Sequence, residues 1–432
     1  MNGAAPGVSR GQVHVAGLLL ALAAVAWREA ARWPWAPLWT LLGGLAAGWL
    51  ALGWAWRTVR AGGGVLPVGA VLGWAVVARG IGLGAVPTWE DDYFRYLWDG
   101  WRTLTAGTPY GAAPADFFGD ATVPAEWQRV LDGINHPELA TIYGPPVQAV
   151  LALAAWIAPT NLAALKALLV ACELGALAVV WRLLPAGGAL LWAWGPPVIL
   201  EIAVNGHSEA VALLALAVTV RCAAGNAPVA AVAALAVAGG AKSFLWVLAP
   251  FFLVRAGWRG VAAAAGVVAA MYGPFWGRGG ATEWATVRGM AALFEFNSTG
   301  YAVLAWALGA EAGRAVSGAA LVVGVAGLGG RWWRRGGAIA AVPGAEVLAV
   351  VFLFSPVVNA WYLLALLPWA ARTPRAWAVA ALGAVGLAYV HGLNLPGGVM
   401  GGYVHPAWVR PAEVLIVAAG AGLSWRAARA KA

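Results

Sequence analysis

The stretch Thr88-Trp89-Glu90-Asp91-Asp92-Tyr93-Phe94-Arg95-Tyr96-Leu97-Trp98-Asp99-Gly100 holds the densest set of side chains able to carry a proton or a charge. Read as a helix, it divides by face. Asp91, Arg95, Trp98 and Arg102 fall at i, i+4, i+7 and i+11, so Asp91 has a basic partner at a favourable ion-pair spacing. Asp92, Tyr96 and Asp99 share a neighbouring face, and Asp92 has no such partner, which leaves it freer to accept a proton. Both acids also suit the N-terminus of a helix, where negative charge is stabilised. A carboxylate at a membrane boundary suits a general base, because apolar surroundings raise such a group's pKa and nearby cations lower it again. It can deprotonate a sugar hydroxyl that attacks an activated sugar. Charge on the leaving group then has to be met by fixed cations or amide donors. Lys242, which follows Gly239-Gly240 in an apolar run, is a candidate cation. An ionisable residue inside a span marks function by default, although a lysine can also snorkel to an interface.

Further polar residues lie at the ends of apolar runs. Ile134-Asn135-His136-Pro137-Glu138-Leu139-Ala140-Thr141-Ile142-Tyr143-Gly144-Pro145-Pro146 contains two adjacent prolines that start or stop a helix. His136 and Tyr143 are placed to face an interfacial cavity, His136 as a structural hydrogen-bond partner or as a phosphate-binding or catalytic group. In Asn205-Gly206-His207-Ser208-Glu209, His207 and Glu209 lie near or inside the membrane, where polar groups are costly. They serve a site, or packing and capping. Ser355-Pro356 to Trp361-Tyr362 reads as a helix break with an aromatic anchor, and the late loop with His391 and His405 as an acceptor-facing lid. Metal chemistry has little support: no HExxH or CxxC array occurs, and spacing alone does not place His136, Glu138 and Asp92 on one ion. No phosphate-binding GxxxxGK[ST] loop and no dinucleotide fingerprint is present.

The elements that must position these residues are written in the composition. Of 432 residues, 62% are hydrophobic and only 10% charged, and the mean hydropathy is +0.75. Soluble domains carry about 45–50% apolar and about 25% charged residues. Only lipid solvates this much hydrocarbon, so the reading is an all-α polytopic membrane protein, and not a disordered, disulfide-rich secreted or nucleic-acid-binding one. The net charge of +9 comes mostly from arginine, in short loops at Arg57 and Arg60, Arg255 and Arg259, Arg331, Arg334 and Arg335, Arg372 and Arg375, and in the tail at Arg426, Arg429 and Lys431. That pattern is positive-inside and puts the C-terminus in the cytoplasm. Cys172 and Cys222 lie within apolar runs and suggest no disulfide framework. Residues 13–27 resemble a signal peptide, but with further spans following, an uncleaved first helix is expected.

Apolar runs occur at about 13–27, 37–56, 64–86, 146–158, 161–181, 188–204, 209–222, 227–240, 243–254, 260–275, 315–330, 343–355, 360–371, 376–393 and 411–424. They predict a single integral membrane domain over 1–432 with about 12–14 transmembrane helices and one large outer loop. That loop, residues 87–145, holds 9 of the 18 acidic residues and only Arg95, Arg102 and Arg129 as bases. An acidic loop among basic cytoplasmic ones belongs on the outer face. A long loop held among helices is usually functional, and residues able to do chemistry are expected to concentrate there and nowhere else.

Glu90-Asp91-Asp92-Tyr93-Phe94-Arg95-Tyr96-Leu97-Trp98-Asp99-Gly100, followed by Gly107-Thr108-Pro109-Tyr110, resembles the first outer loop of membrane-bound GT-C glycosyltransferases, in particular bacterial GT87-type and GPI mannosyltransferase I-like proteins. Four later stretches fit the same pattern: Asn135-His136-Pro137 to Thr141-Ile142-Tyr143-Gly144-Pro145-Pro146, Asn205-Gly206-His207-Ser208-Glu209, Ala241-Lys242 before Pro250, and Ser355-Pro356-Val357-Val358 to Trp361-Tyr362. Together they cover about residues 64–370 in order. The resemblance implies a GT-C-like bundle, a catalytic Asp in the first large outer loop, a polyprenyl-phosphate sugar donor (usually mannose), and transfer with inversion. In such proteins the essential Asp precedes an aromatic by four positions and a Pro-Tyr pair follows. Asp92 with Tyr96, then Pro109-Tyr110, fits that frame, and Asp91 is out of it by one. There are departures. Two apolar runs precede the run that feeds the loop, Gly144 interrupts a Tyr-Pro-Pro that is usually unbroken, and Glu209 stands where Asp or Asn is commoner.

The expectation is therefore a hexosyltransferase of the cell (inner) membrane with its site on the extracytoplasmic side. Asp92 is the general base, with Asp91 as the other candidate catalytic acid. Arg95, Tyr96, His136, Tyr143, His207, Glu209 and Lys242 are expected to bind substrate, with donor phosphate near Lys242 and His207 or Arg95. Its partners are a polyprenyl-phosphate sugar donor, a lipid or glycan acceptor and membrane lipids, with no nucleic acid, metal or cofactor. The alternative is a multi-pass transporter or flippase, which predicts charged residues at mid-span in broken, symmetry-related helices; no internal repeat is visible. A metal-dependent oligosaccharyltransferase usually shows Trp-Trp-Asp and an integral prenyltransferase a DDxxD-type pair, and neither occurs.

Overall fold

The computed structural model describes residues 9–32, 37–87, 89–280, 282–391 and 406–430. Among them the chain is helical, with no strand beyond a single bridge between Phe296 and Val357. Six helices are long and apolar enough to cross a membrane: Arg10–Arg32, Leu38–Ala61, Leu162–Leu183, Ala186–Val204, Ser243–Phe275 and Ala310–Arg334. Five shorter apolar helices are Val68–Leu83, Pro145–Ile157, Pro228–Ala241, Gly344–Phe354 and Ala376–Val390. The expected count of about 12–14 therefore includes segments shorter than the ~20 residues a straight span requires. The runs 243–254 and 260–275, read as separate, are parted by a kink at Gly257, where φ is +61° and the backbone leaves the helical region. There Arg255 donates to the Gly336 and Gly337 carbonyls, which uses the basic pair to staple two segments.

The chain divides into two compact units. One comprises Met1–Glu90, Val180–Gly206 and Leu367–Ala432; the other comprises Asp91–Val179 and His207–Leu366. In the first unit, the helix Arg10–Glu29 buries Val13, Ala16, Leu20, Ala23, Ala24 and Trp27 and packs against the helices Pro37–Ala61 and Val68–Leu83. Three buried side-chain donors are met by backbone carbonyls, the kind of internal pairing an apolar surrounding requires. Trp27 donates to Leu41 O, Trp194 to Val71 O, and buried Arg79 to Ala75 O and Ala193 O. The segment Ala186–Val204 is the most enclosed of the six candidate spans. Pro196-Pro197 interrupts it, and Ile199–Val204 forms a π-helix. Glu201 on that π-helix accepts hydrogen bonds from Tyr389 Oη at 2.8 Å and Asn205 Nδ2 at 3.1 Å.

The second unit carries the acidic loop, which is a folded element. Its helices are Asp92–Ala106 and Ala125–Asp132, with a 3-10 turn at Pro114–Phe117. Trp101 stacks on Trp127 with centroids 5.2 Å apart, Trp98 packs edge-on to Phe117, and Arg102 lies 4.2 Å over the Phe117 ring. These contacts give the loop its own aromatic core. The helix Asp92–Ala106 lies against Pro145–Ile157 so closely that a side chain at Gly100 would collide with the Leu151 carbonyl. A further short helix, Glu283–Leu293, follows the helix Ala249–Tyr272. The loop seats on the turn before it: Thr108 Oγ1 donates to Arg278 O, Gly111 N to Thr282 Oγ1, and Tyr110 packs edge-on to Phe275.

Candidate functional site

The helix begins at Asp92, with Asp91 as its N-cap residue. That one-residue boundary separates the two acids. Asp91 accepts a short hydrogen bond from Asn135 Nδ2, which ties the start of the loop to its far end. The helical pairing of Asp91 with Arg95 gives way to a different arrangement. Arg95, buried, donates to the carbonyls of His136 and Leu139, both at 2.9 Å, and its charge acts on Asp99. Arg95 thus fastens the loop, and its donors are engaged by backbone. Asp92, half-buried at the first helical position, accepts from Tyr96 Oη at 3.4 Å and Tyr143 Oη at 3.2 Å. Tyr96 and Tyr143 meet edge to face with centroids 4.9 Å apart. Burial first, then the charge of Asp92, pushes both phenols well above their ordinary range. They therefore stay protonated and donate, which fixes the rotamer of Asp92 from two directions.

Tyr143 joins this carboxylate to a cation. The Lys242 ammonium lies 5.3 Å over the Tyr143 ring and 5.6 Å over that of Tyr362. It pairs with Glu209 Oε1 at 2.5 Å, with the Glu209 side chain 4% exposed. Lys242 ends the helix Pro228–Ala241 in an extended conformation, and Glu209 opens the helix Glu209–Ala224. The pair thus sits where one helix ends and another begins. His207, fully buried, stacks on Trp361 with centroids 3.9 Å apart and planes 22° apart. His136 behaves differently from the cluster. It is partly exposed, adopts a φ of +47°, contacts Glu138 at 3.3 Å and sets its ring edge-on to Phe294. His391's side chain and all of His405, read as a lid, lie outside the described residues.

A cavity of about 230 Å³ opens beside Lys242. Its walls include Tyr143, Lys242, Phe244, Tyr272, Glu283 and Tyr362. Asp92 does not line it; Tyr143, which does, donates its hydroxyl to Asp92. The prolines that start the helix Pro145–Ile157 turn the chain at Gly144. A Cβ there would run into the carbonyl oxygen of Gly240. This explains why Gly144 stands before the proline pair: the loop end must pass the Lys242 helix in direct backbone contact. Gly144→Ala should lower stability by about 3 kcal/mol, at the upper end of overpacking costs. A thermal midpoint within a degree of wild type, measured by intrinsic fluorescence in detergent, would contradict this placement.

Three residues beside the cluster are not among the expected catalytic or substrate-binding ones. Tyr110, of the Pro-Tyr pair, donates its hydroxyl to Tyr143 O at 3.1 Å and so holds the residue that bridges Asp92 and Lys242. Asp99, buried, accepts from Thr141 Oγ1 and from Gln148 Nε2 at 3.0 Å, and Gln148 also donates to Tyr143 O. Glu283 is the third. It comes from a part of the chain outside the acidic loop and lines the same cavity as Lys242. Burial raises the Asp99 carboxyl above its ordinary 3.8, against lowering by Arg95, Thr141 and Gln148. A raised folded value means the folded state holds this proton longer than the unfolded chain. The stability it contributes is fully present below the unfolded value and lost as pH rises through the folded one. The thermal midpoint of Asp99→Asn relative to wild type should therefore climb as pH is raised from about 4 to about 7. A constant difference across that range would remove Asp99 as the cause.

The arrangement places a doubly hydrogen-bonded carboxylate and a partly exposed ammonium on either side of one tyrosine, next to a cavity with aromatic walls. Chemically, it can take a proton at Asp92 and hold an anion near Lys242. No protein-family model, no curated protein and no solved structure significantly matches this chain.

Proposed function

We propose that the protein is a membrane hexosyltransferase that uses a polyprenyl-phosphate sugar donor and a lipid or glycan acceptor on the extracytoplasmic face. The observation that carries the proposal is Tyr143. Its hydroxyl is on Asp92 and its ring is under Lys242, so a base and a cation are held in one unit. The order of motifs shared with GT-C glycosyltransferases supports the same reading, as do the apolar helices, which account for a lipid-soluble donor. The sugar is a hexose, mannose being the usual one for such donors. The full complement of about 12–14 spans is part of the same proposal.

The transfer is a single displacement. The acceptor hydroxyl gives its proton to Asp92 as its oxygen attacks the anomeric carbon. The bond from that carbon to the phosphate oxygen breaks, its electron pair leaves with the phosphate, and the anomeric configuration inverts. Lys242 meets the negative charge that develops on the departing phosphate monoester. Glu209 holds the ammonium in place, and Tyr96 and Tyr143 hold the carboxylate, so the groups need little reorganisation at the moment of reaction. The test is product analysis. Incubation of purified protein with polyprenyl-phosphate mannose and cell-derived acceptors should release polyprenyl monophosphate in step with glycosylated acceptor. Release of free mannose with no glycosylated acceptor would count against transfer.

A second reading, a transporter of a lipid-linked or sugar substrate, rests on the buried Glu201 in the interrupted segment Ala186–Val204, since broken spans with buried acids are used by transporters. It predicts that Glu201→Gln stops substrate movement across a vesicle bilayer, whereas the transferase reading requires no such movement.

A further inference from the structure

Glu283 opens the helix Glu283–Leu293, is 3% exposed and lines the cavity that contains Lys242. Its Oε1 is held by Tyr272 Oη at 2.5 Å. Its Oε2 is buried and has no hydrogen-bond partner among the described residues. A buried carboxylate oxygen without a donor is costly, and native proteins retain few such atoms without a reason. Burial also pushes this carboxyl above its ordinary range. Glu283 shares a cavity of about 230 Å³ with one ammonium and the aromatic rings of Phe244 and Tyr362. Drug-sized ligands fill roughly 300–1,000 Å³, so this space suits one small polar unit more than an oligosaccharide.

We propose that Glu283 Oε2 accepts a hydrogen bond from a hydroxyl of the donor's hexosyl unit, so that the cavity reads the sugar with Glu283 and the phosphate with Lys242. The inference rests on the transferase reading and deepens it, making Glu283 a specificity-determining residue for the donor. The chemistry is complementary. A hexosyl phosphate carries an anion for the ammonium, several O–H donors for the carboxylate, and C–H faces for the aromatic walls. Tyr272 occupies the first oxygen, which leaves the second to accept from the ligand. The turn that leads into Glu283 is itself held by Thr108, Tyr110 and Gly111 of the acidic loop, so the loop that carries Asp92 also sets the position of the sugar-reading carboxylate.

The test compares two lipids on the full chain in nanodiscs, polyprenyl-phosphate mannose and sugar-free polyprenyl phosphate. Glu283→Gln, which keeps size and an acceptor for Tyr272, should weaken binding of the mannosyl lipid by about tenfold or more, the value of a hydrogen bond to a charged group. Binding of the sugar-free lipid should change by less than about twofold. Tyr272→Phe frees the other oxygen without altering the charge, and should affect the mannosyl lipid less than Glu283→Gln does. Thermal midpoints of the variants provide the folding control. Wild type binding both lipids, with Glu283→Gln weakening both alike or neither, overturns the role of Glu283 and leaves the transferase reading standing. Wild type binding neither lipid overturns the transferase reading and this inference with it.

Discussion

Asp92→Asn is expected to lower kcat by about a thousandfold, within the 10²–10⁴ range of general-base catalysis, while the protein stays folded. Asn keeps the size of the side chain and an oxygen that accepts from Tyr96 or Tyr143, so the cluster that those phenols form is preserved. What is lost is the group that takes the acceptor's proton. Asp91→Asn is the paired control. Asp91 sits at the N-cap position without capping the helix through its side chain and bonds to Asn135, so this change should keep most of the rate and act chiefly on loop stability. The comparison is made with kcat at saturating donor, together with a thermal midpoint for each variant. Equal losses in the two variants would return the assignment to a shared structural effect. Loss confined to Asp91→Asn would move the base to the neighbouring carboxylate.

The second large effect concerns the buried ion pair. Lys242→Met leaves Glu209 as an uncompensated buried charge, which costs about 3–5 kcal/mol when one partner of such a pair is removed. Adding Glu209→Gln to Lys242→Met takes away the stranded charge and should restore most of that stability. It should not restore transfer, because the cavity then has no ammonium to meet the departing phosphate. Stability and activity separate in this double-variant cycle. Thermal or denaturant midpoints provide the first axis and kcat the second. If the double variant regains both, Lys242 serves packing alone and the donor phosphate must be met elsewhere.

Much of the Asp92 side of the site is written in local spacing. Asp92 and Tyr96 are four residues apart on a helix, and the structure joins them by a hydrogen bond. The link to Tyr143 spans 51 residues, so no local periodicity reveals it; only the turn-forming prolines after Tyr143 hint that the chain reverses there. The same local spacing misassigned Arg95. An i, i+4 partner exists only when both residues are inside the helix, and this helix starts one residue after Asp91. Backbone carbonyls of His136 and Leu139, some forty positions along the chain, then hold the guanidinium. Lys242 and Glu209 were both legible as costly polar residues near or within apolar runs, but their pairing depends on how two helices meet. Glu283 has no motif around it. Its significance comes from burial, from Tyr272 on one oxygen and from a cavity at the other, and all three are products of packing. The helical class follows directly from composition. The lengths of individual spans do not, because a run of a dozen apolar residues can end as a short helix, as at Gly344–Phe354.

Hexosyl transfer is tested by following label from a single donor. Purified protein in nanodiscs is given polyprenyl-phosphate [3H]mannose and a pool of cell-derived lipids and glycans. Label should move to an acceptor, polyprenyl monophosphate should appear with it, and Asp92→Asn should block both. Absence of label transfer from this and every other polyprenyl-phosphate hexose, together with passage of the intact donor across the bilayer of reconstituted vesicles, would contradict it.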